Sequence, residues 1–242
     1  MSDLSTPDIR VTIEDALARV TLTRPPVNAF TKQMYLDLAA IFRVVGGQAD
    51  LRCVLLSGEG EKAFSAGFDF KLFAAERAED DPKRPEILRG MLESVRTCPL
   101  PVVAHVNGAA IGAGCVLAAC CDICVACEEA SFSLPEVDFQ RVGGSAYVGA
   151  RVSKGMLRYM ALTGARVSAR VAYEARLVDF LLPRAEAGRY AETIAREIAA
   201  KSGITLRHTK RALNRIENCP INEGYEIEQL HSIMSRAGLE ES

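Results

Sequence analysis

The fold is decided by one stretch, Val106-Asn107-Gly108-Ala109-Ala110-Ile111-Gly112-Ala113-Gly114-Cys115-Val116-Leu117-Ala118. It continues the apolar strand 101–106 through a run of glycine and alanine into a helix of small and aliphatic residues. Small residues let backbone N–H groups come close to a ligand, and the N–H groups that open a helix favour negative charge. The stretch therefore indicates either a backbone site for an anion or oxyanion, or a tight strand-to-helix turn packed against a neighbour.

Two nucleotide-binding motifs fit this stretch poorly. Gly112, Gly114 and Leu117 give G-x-G-x-x-L, which lacks the third glycine of the dinucleotide fingerprint and lies in the middle of the chain. No G-x-x-x-x-G-K-[ST] sequence occurs anywhere in the chain, which excludes a P-loop.

The composition is that of an ordinary globular protein. The chain has 242 residues, 49 % hydrophobic and 25 % charged, which suits one large domain. A formal net charge of −2 without a basic block argues against nucleic acid as a partner. No apolar run approaches the ~20 residues of a membrane span, and the polar first residues lack a signal-peptide core. We therefore expect a cytoplasmic protein that binds neither nucleic acid nor membrane.

The eight cysteines raise the question of a metal site. Five of them fall within residues 115–127, where Cys121-x-x-Cys124-x-x-Cys127 suggests a metal or iron–sulfur centre. However, these cysteines alternate with aliphatic residues, and free cysteine is among the most buried residue types. No fourth cysteine followed by proline completes the ferredoxin spacing. The preferred interpretation is a buried apolar segment without metal ligands, and no disulfides are expected in a cytosolic protein.

Strands alternate with helices over the first three quarters of the chain. Alternating apolar and polar residues predict a β-hairpin over 9–14 and 17–23, and Thr31 is placed to cap a helix that runs to about residue 47. The further predictions are buried strands at 52–57, 101–106 and 122–127, an extended segment at 131–137, a strand at 177–182, and helices at 85–97, after Gly143-Gly144, at 153–163, at 168–175 and from residue 185 onward. The expected organisation is an α/β core over residues 1–184 and a helical extension over 185–242.

Two loops of the predicted core share one feature. The strand 53–57 leads into Ala66-Gly67-Phe68-Asp69, and the strand 102–106 leads into Gly112-Ala113-Gly114. Each loop can offer a bare backbone N–H beyond the end of a strand. If the two donors met at one point they would form an oxyanion hole, where removing one donor typically costs about 2.7–4 kcal/mol of barrier.

A set of short motifs follows in order between residues 9 and 215. They are Asn28-Ala29-Phe30, Lys62-Ala63-Phe64-Ser65-Ala66-Gly67-Phe68-Asp69-Phe70-Lys71, Asn107-Gly108 with Gly112-Ala113-Gly114-Cys115, Cys121-Asp122-Ile123, Leu134-Pro135-Glu136-Val137, Gly143-Gly144 and Leu162-Thr163-Gly164. Each motif is weak alone, but the ordered set resembles the crotonase superfamily, which is the enoyl-CoA hydratase/isomerase family. The resemblance implies a spiral of β-β-α units with C-terminal trimerisation helices, an enzyme of acyl-CoA and fatty acid metabolism, and a homotrimer or dimer of trimers.

The resemblance also implies which residues form the site. The backbone N–H groups of Phe68 and Ala113 would hold the thioester oxygen as it becomes an enolate, and Glu136 would be the general base. The substrate would be carried as a coenzyme A thioester, with no further cofactor and no metal. The residues implied to lie along the CoA are Val27, Asn28, Ala29, Ala66, Asp69, Phe70 and Lys71.

The setting of Glu136 bears on its chemistry. Its sequence neighbours include the apolar residues Phe132, Leu134, Val137 and Phe139. Desolvation disfavours a carboxylate, so we expect a raised pKa at Glu136; the alternative is an exposed glutamate at a strand end.

The second catalytic position departs from the family's hydratases. They use a second glutamate where this chain has Val116. A single glutamate resembles the Δ3,Δ2-enoyl-CoA isomerases of the family, which shuttle one proton between carbons. Isomerisation is therefore preferred. The alternatives are hydration (a lyase reaction), hydrolysis or decarboxylation of a CoA thioester, and a catalytically silent subunit that only binds CoA esters.

The remaining titratable residues are assigned structural positions. Asp138 lies in the segment 137–142, which is shorter than the usual family loop. It is expected to be an exposed carboxylate; the alternative is a second acid or base. His105 interrupts an apolar strand and is expected to pack in the core with a hydrogen-bonded ring. His208 and His231 lie in the helical extension and are expected at the surface or at an interface.

Overall fold

A computed structural model describes residues 4–69, 72 and 84–238 of the chain. The strands are β1 Ile9–Glu14, β2 Leu17–Leu22, β3 Cys53–Gly58, β4 Ala63–Ser65, β5 Val102–Val106, β6 Ala109–Ile111, β7 Ile123–Cys127, β8 Ser131–Ser133, β9 Val167–Ser168 and β10 Phe180–Leu182. The α-helices are α1 Lys32–Gly47, α2 Arg84–Arg96, α3 Ala113–Cys120, α4 Ser145–Gly149, α5 Lys154–Thr163, α6 Ala169–Glu174, α7 Arg184–Ala199, α8 Gly203–Ile216 and α9 Ile221–Ala237. A 3₁₀ helix spans Pro135–Phe139.

The larger sheet has the strand order β1-β2-β3-β5-β7-β10 among the described residues. The predicted hairpin of β1 and β2 is confirmed and is antiparallel, whereas the remaining neighbours pair in parallel. The apolar runs of β3, β5 and β7 are buried almost throughout. They form the centre of a sheet that is covered on both faces, as continuous apolar strands predict.

A smaller sheet, with the order β4-β6-β8-β9, stands beside the larger one. Three strands of the larger sheet are each followed by a strand of the smaller one: β3 by β4, β5 by β6, and β7 by β8. Helix α3 follows β6 directly, which completes a β-β-α unit, and the predicted spiral α/β fold is confirmed. Because β4 and β6 are parallel neighbours, the segments that follow them leave the smaller sheet at the same edge.

Several helices begin at a hydroxyl side chain that caps them. Thr31 accepts a hydrogen bond from the N–H of Met34 at 3.1 Å, as predicted, and Ser153 and Ser202 cap α5 and α8 in the same way. The helical extension is anchored to the core by Lys210 of α8.

Lys210 is buried where α8 meets the larger sheet. Its Nζ donates to the carboxylate of Asp122 at 2.7 Å and to the carbonyl oxygen of Leu100 at 3.0 Å. The same Asp122 oxygen accepts the N–H of Val102 at 2.6 Å, at the start of β5. This ion pair therefore connects the helical extension to the first residue of β5, a central strand.

Two predicted elements differ from the structure. The segment 131–137 was expected to be extended, but β8 ends at Ser133 and Pro135 starts a 3₁₀ helix, because the fixed φ of proline suits the first helical position. The strand expected at 177–182 is only Phe180–Leu182, the part that pairs with β7. Its first half is instead held by hydrogen bonds to the carbonyl oxygen of Ala172.

The prediction for His208 and His231 was wrong. Both side chains are buried between α8 and α9, and their Nδ1 atoms lie 3.1 Å apart in a mutual hydrogen bond. The helical pattern showed which helix each residue occupies but not that the two helices turn these faces toward each other. His105 is half-buried: its ring lies against Gly188 of α7, and burial, aided by the charge of Arg184, lowers its pKa. The hydrogen bond expected for its ring stays a prediction.

The cysteines behave as core residues. All five between Cys115 and Cys127 are buried, and burial raises their thiol pKa values, as it does at Cys124 to about 12. Within the described residues, no three His, Cys, Asp or Glu side chains group as metal ligands would. Nor does this part of the chain contain a helix long and apolar enough to cross a membrane.

Candidate active site

The first of the two predicted loops follows β4. Phe30 and Phe68 form an isolated parallel bridge, in which the N–H of Phe30 donates to Gly67 at 2.7 Å and the N–H of Asp69 donates to Phe30 at 3.0 Å. A parallel bridge uses the groups on either side of Phe68, so the N–H of Phe68 faces away from Phe30. Ser65 fixes the turn, because its hydroxyl accepts from the N–H of Gly67 at 3.1 Å.

The second loop follows β6 and opens α3. Gly112 precedes the helix, and its own N–H donates to Ser133 of β8 at 2.9 Å. Ala113 is the first helical residue, so its N–H has no acceptor within the helix. The helix begins its own hydrogen bonding at Val116, whose N–H donates to Gly112 at 3.0 Å.

The two loops are in direct contact. A Cβ atom placed on Gly67 would lie under 3.0 Å from the carbonyl oxygen of Ile111 and 3.3 Å from the N atom of Ala113. Gly67 also has φ +77°, a backbone conformation that glycine adopts without strain. Glycine at this position therefore allows the donors Phe68 and Ala113 to line the same cavity.

The loop predicted to lie along the CoA is built around Asn28. This residue is 1 % exposed, and its amide donates to the carbonyl oxygens of Glu59 at 3.1 Å and Ala63 at 3.0 Å. The N–H of Ala66 donates to Val27 at 2.9 Å. Because the Asn28 side chain is occupied with the backbone, a ligand would meet this residue through its main chain.

An ion pair holds the other side of the same loop. Arg24 pairs with Asp69 at 2.8 Å and donates to the carbonyl oxygen of Ala29 at 2.9 Å. The structure thus brings together Val27, Asn28, Ala29, Ala66 and Asp69. The other two residues predicted for CoA, Phe70 and Lys71, lie outside the described residues.

Glu136 lies beside the second loop, the one that contains Gly112. It is the second residue of the 3₁₀ helix, and its Oε1 is 3.0 Å from the position that a Cβ on Gly112 would occupy. Its Oε2 is buried and has no hydrogen-bond partner among the described residues. Burial therefore raises the pKa of Glu136, opposed by a hydrogen bond from its own backbone, and the raised pKa expected from the sequence is confirmed in direction.

Only two of the four apolar residues that were expected to surround Glu136 are buried. Phe132 and Leu134 are buried, but Val137 and Phe139 are largely exposed. Glu136 is nevertheless partly buried, and it lines a cavity of about 310 Å³ whose other lining residues are mostly apolar. Its lining consists of Tyr35, Ala66, Phe68, Pro85, Leu88, Leu92, Ile111, Gly112, Ala113, Val116, Pro135, Glu136, Phe139, Arg141, Val142, Gly143 and Gly144.

Val116 occupies the position where a hydratase of the family has its second carboxylate. It is 2 % exposed, and a Cβ placed on Gly144 would overlap its Cγ2 atom. This wall of the cavity is therefore apolar and closely packed. Asp138 is exposed, as predicted, and its carboxylate lies beside Gly164 at the end of α5 rather than in the cavity.

The sequence reasoning missed one wall of the cavity. Tyr35 of α1 stacks between Phe30 and Phe68, with ring centroids 5.0 and 6.2 Å apart. Leu88 and Leu92 of α2 line the opposite part. Their spacing of four residues marks one face of a helix, but the spacing does not show that this face looks onto the site.

Comparisons with known proteins agree with this arrangement. The family model described as Enoyl-CoA hydratase/isomerase matches residues 12–237. A hydrolase of Mycobacterium tuberculosis, (7aS)-7a-methyl-1,5-dioxo-2,3,5,6,7,7a-hexahydro-1H-indene-carboxyl-CoA hydrolase, is 34 % identical over 92 % of this chain and 90 % of its own length. Carnitinyl-CoA dehydratase of Salmonella typhi is 30 % identical over 90 % of this chain and 84 % of its own. The crystal structure of an enoyl-CoA hydratase from Bacillus anthracis superposes with a TM-score of 0.89 at 30 % identity, covering 93 % of this chain and 89 % of that one.

Proposed function

This chain belongs to the enoyl-CoA hydratase/isomerase family of acyl-CoA-processing enzymes, and we propose that it isomerises a 3-enoyl-CoA to the conjugated 2-enoyl-CoA. One observation carries the proposal. A single buried carboxylate, Glu136, stands beside the donor loops, while the apolar Val116 fills the place of a second carboxylate. Such a site favours moving one proton over activating a water molecule.

In the proposed reaction Glu136 removes a proton from C2 of the substrate. The electron pair moves into the thioester, and the N–H groups of Phe68 and Ala113 stabilise the resulting enolate oxygen. The protonated Glu136 then returns the proton to C4, the double bond shifts to C2–C3, and the carboxylate is regenerated. Desolvation makes the carboxylate a stronger base at the start and costs nothing once it is protonated.

Substrate binding in this proposal divides between two surfaces. The apolar cavity receives the acyl chain, and the CoA lies along Val27, Asn28, Ala29, Ala66 and Asp69, continuing to Phe70 and Lys71. No cofactor beyond the CoA carried by the substrate is required. Assembly as a homotrimer or dimer of trimers and a cytoplasmic role in fatty acid metabolism stay predictions from the family resemblance, and light scattering tests the first of them.

Hydration and hydrolysis are the second candidates, because two relatives are named a dehydratase and a hydrolase. In either reaction Glu136 would have to activate water without a second carboxylate, since Val116 cannot contribute one. A subunit that binds CoA esters silently would have no use for a desolvated base beside the donor loops.

Ultraviolet absorbance separates these functions, because the conjugated enoyl thioester absorbs and its unconjugated isomer does not. The wild type is expected to produce absorbance from a 3-enoyl-CoA and to leave a 2-enoyl-CoA unchanged. Glu136→Gln should abolish the change while still binding the ester. Asp138→Asn, which removes an exposed carboxylate from the same 3₁₀ helix, is the matched control and should keep full activity. Loss of absorbance from the 2-enoyl-CoA would instead indicate hydration if no free CoA thiol appears, and hydrolysis if a stoichiometric thiol is released.

A further inference from the structure

We propose that Arg141 selects acyl chains that carry a carboxylate at the end remote from the thioester. Among the described residues that line the cavity, Glu136 and Arg141 are the charged ones. Apart from the hydroxyl of Tyr35, the rest of the lining is apolar or backbone. This inference rests on the proposed binding of acyl-CoA in that cavity and names the class of acyl group.

The position of Arg141 is fixed relative to the base. The 3₁₀ helix ends at Gln140, which has φ +56°, and the N–H of Arg141 then donates to the carbonyl oxygen of Glu136 at 2.9 Å. A six-to-one hydrogen bond of this kind, after a left-handed residue, closes a Schellman cap. Consequently the two charged residues of the cavity are held by one short, closed piece of backbone.

The two charges nevertheless have separate roles. Burial raises the pKa of Glu136, whereas a guanidinium close to the carboxylate would lower it. Arg141 is also exposed, while Glu136 is partly buried. The cavity lining thus contains one partly buried charged residue, Glu136, and one exposed charged residue, Arg141.

The chemistry of arginine defines the group that it would bind. Its planar guanidinium matches the two oxygens of a carboxylate in a bidentate pair. An entirely apolar chain end offers a guanidinium no acceptor for its N–H groups, whereas a terminal carboxylate offers two oxygens. A dicarboxylic acyl-CoA is therefore a better complement to this cavity than a simple fatty acyl-CoA.

The CoA phosphates are the other anions that could reach an arginine. Of the predicted CoA residues that the structure describes, only Ala66 lines the cavity with Arg141; Val27, Asn28, Ala29 and Asp69 do not. The residues next to Arg141 in the chain that also line the cavity are Phe139, Val142 and Gly143. The acyl end of the ligand is thus the part that meets Arg141.

Isothermal titration calorimetry with two unreactive ligands tests the proposal independently of turnover. The ligands are a saturated eight-carbon acyl-CoA and its ω-carboxy analogue, which share the same CoA. The wild type is expected to bind the carboxylated ligand more tightly. Arg141→Gln should weaken that binding by about tenfold, the usual scale for a charge-assisted hydrogen bond, and should leave the neutral ligand unchanged. Arg158→Gln, an exposed arginine of α5 outside the cavity lining, is the matched control.

Two results would overturn the proposal. One is a wild type that binds both ligands equally well. The other is an Arg141→Gln variant that loses affinity for both ligands to the same extent, which would place Arg141 on the CoA phosphates. Because neither ligand needs to react, failure of the isomerase assay with a positive calorimetric result would refute only the proposed reaction.

Discussion

Replacing Gly67 with alanine should break the contact between the two donor loops. Gly67 has φ +77°, and an added Cβ would lie under 3.0 Å from the carbonyl oxygen of Ile111 and 3.3 Å from the N atom of Ala113. These neighbours are backbone atoms, so no side-chain rotation relieves the overlap. The loops must separate, and the donors at Phe68 and Ala113 must move with them.

The size of the effect follows from two separate costs. Alanine in a left-handed conformation costs about 1–2 kcal/mol of folding free energy. Forcing a methyl group into a close-packed contact adds about 1–3 kcal/mol. If the separation removes one oxyanion donor, the barrier of the enolate step rises by about 2.7–4 kcal/mol, which lowers kcat about 10²- to 10³-fold.

Gly60 provides the control, because it shares the backbone strain without the clash. It has φ +81°, and a Cβ at that position would meet nothing within 4 Å. Gly60→Ala should therefore lose only the first cost, about 1–2 kcal/mol of stability, and keep its kcat. Urea unfolding measures the stability of both variants, and the absorbance assay measures kcat. Equal kcat values for the two variants, at full folding, would show that the Gly67 contact does not position the donors.

Three further predictions concern charged groups. Glu136 must be ionised to act as a base, and burial raises its pKa. We therefore expect kcat/KM to decrease as the pH is lowered, with the midpoint of the decrease above 4.5, the ordinary pKa of glutamate. The folded state binds the Glu136 proton more tightly than the unfolded chain does, so ionising Glu136 destabilises the folded wild type. Glu136→Gln should therefore be more stable than the wild type at a pH above the raised pKa and should lose this advantage below about pH 4.5. Urea unfolding of both proteins at several pH values measures the difference. Lys210→Met should cost about 3 kcal/mol in urea unfolding, the low end for breaking a buried ion pair, because the Asp122 side chain is 29 % exposed. Arg10→Met, which breaks an ion pair with both side chains about half exposed, should cost less than about 1 kcal/mol, and equal losses would contradict the role given to burial.

Local sequence patterns predicted the secondary structure correctly where interactions between residues close in sequence determine it. The alternation over Ile9–Glu14 and Leu17–Leu22 fixes a hairpin, and Thr31 fixes the start of α1 through a hydrogen bond three residues away. At Glu136 the direction of the pKa shift agrees with the prediction, but only Phe132 and Leu134 of the expected apolar neighbours are buried, so the local pattern was not sufficient there. Periodicity failed at 131–137, where Pro135 imposes a 3₁₀ helix on a segment with the composition of a strand.

The sequence by itself determined the alternation of strands with helices, the two glycine-containing loops and the carboxylate at Glu136. The β-β-α order was implied only by the family resemblance, because the residue pattern predicted no strand at β4 or β6. Only the tertiary structure decided that the loops meet, because that contact depends on the parallel pairing of β4 with β6 and on the close approach of Gly67 to Ile111, which is distant in sequence. It also decided that Arg141 lines the cavity and that His208 faces His231. The physical reason is common to all three: a local pattern shows which face of an element is apolar or polar, whereas the partner of that face is chosen by packing across the whole chain.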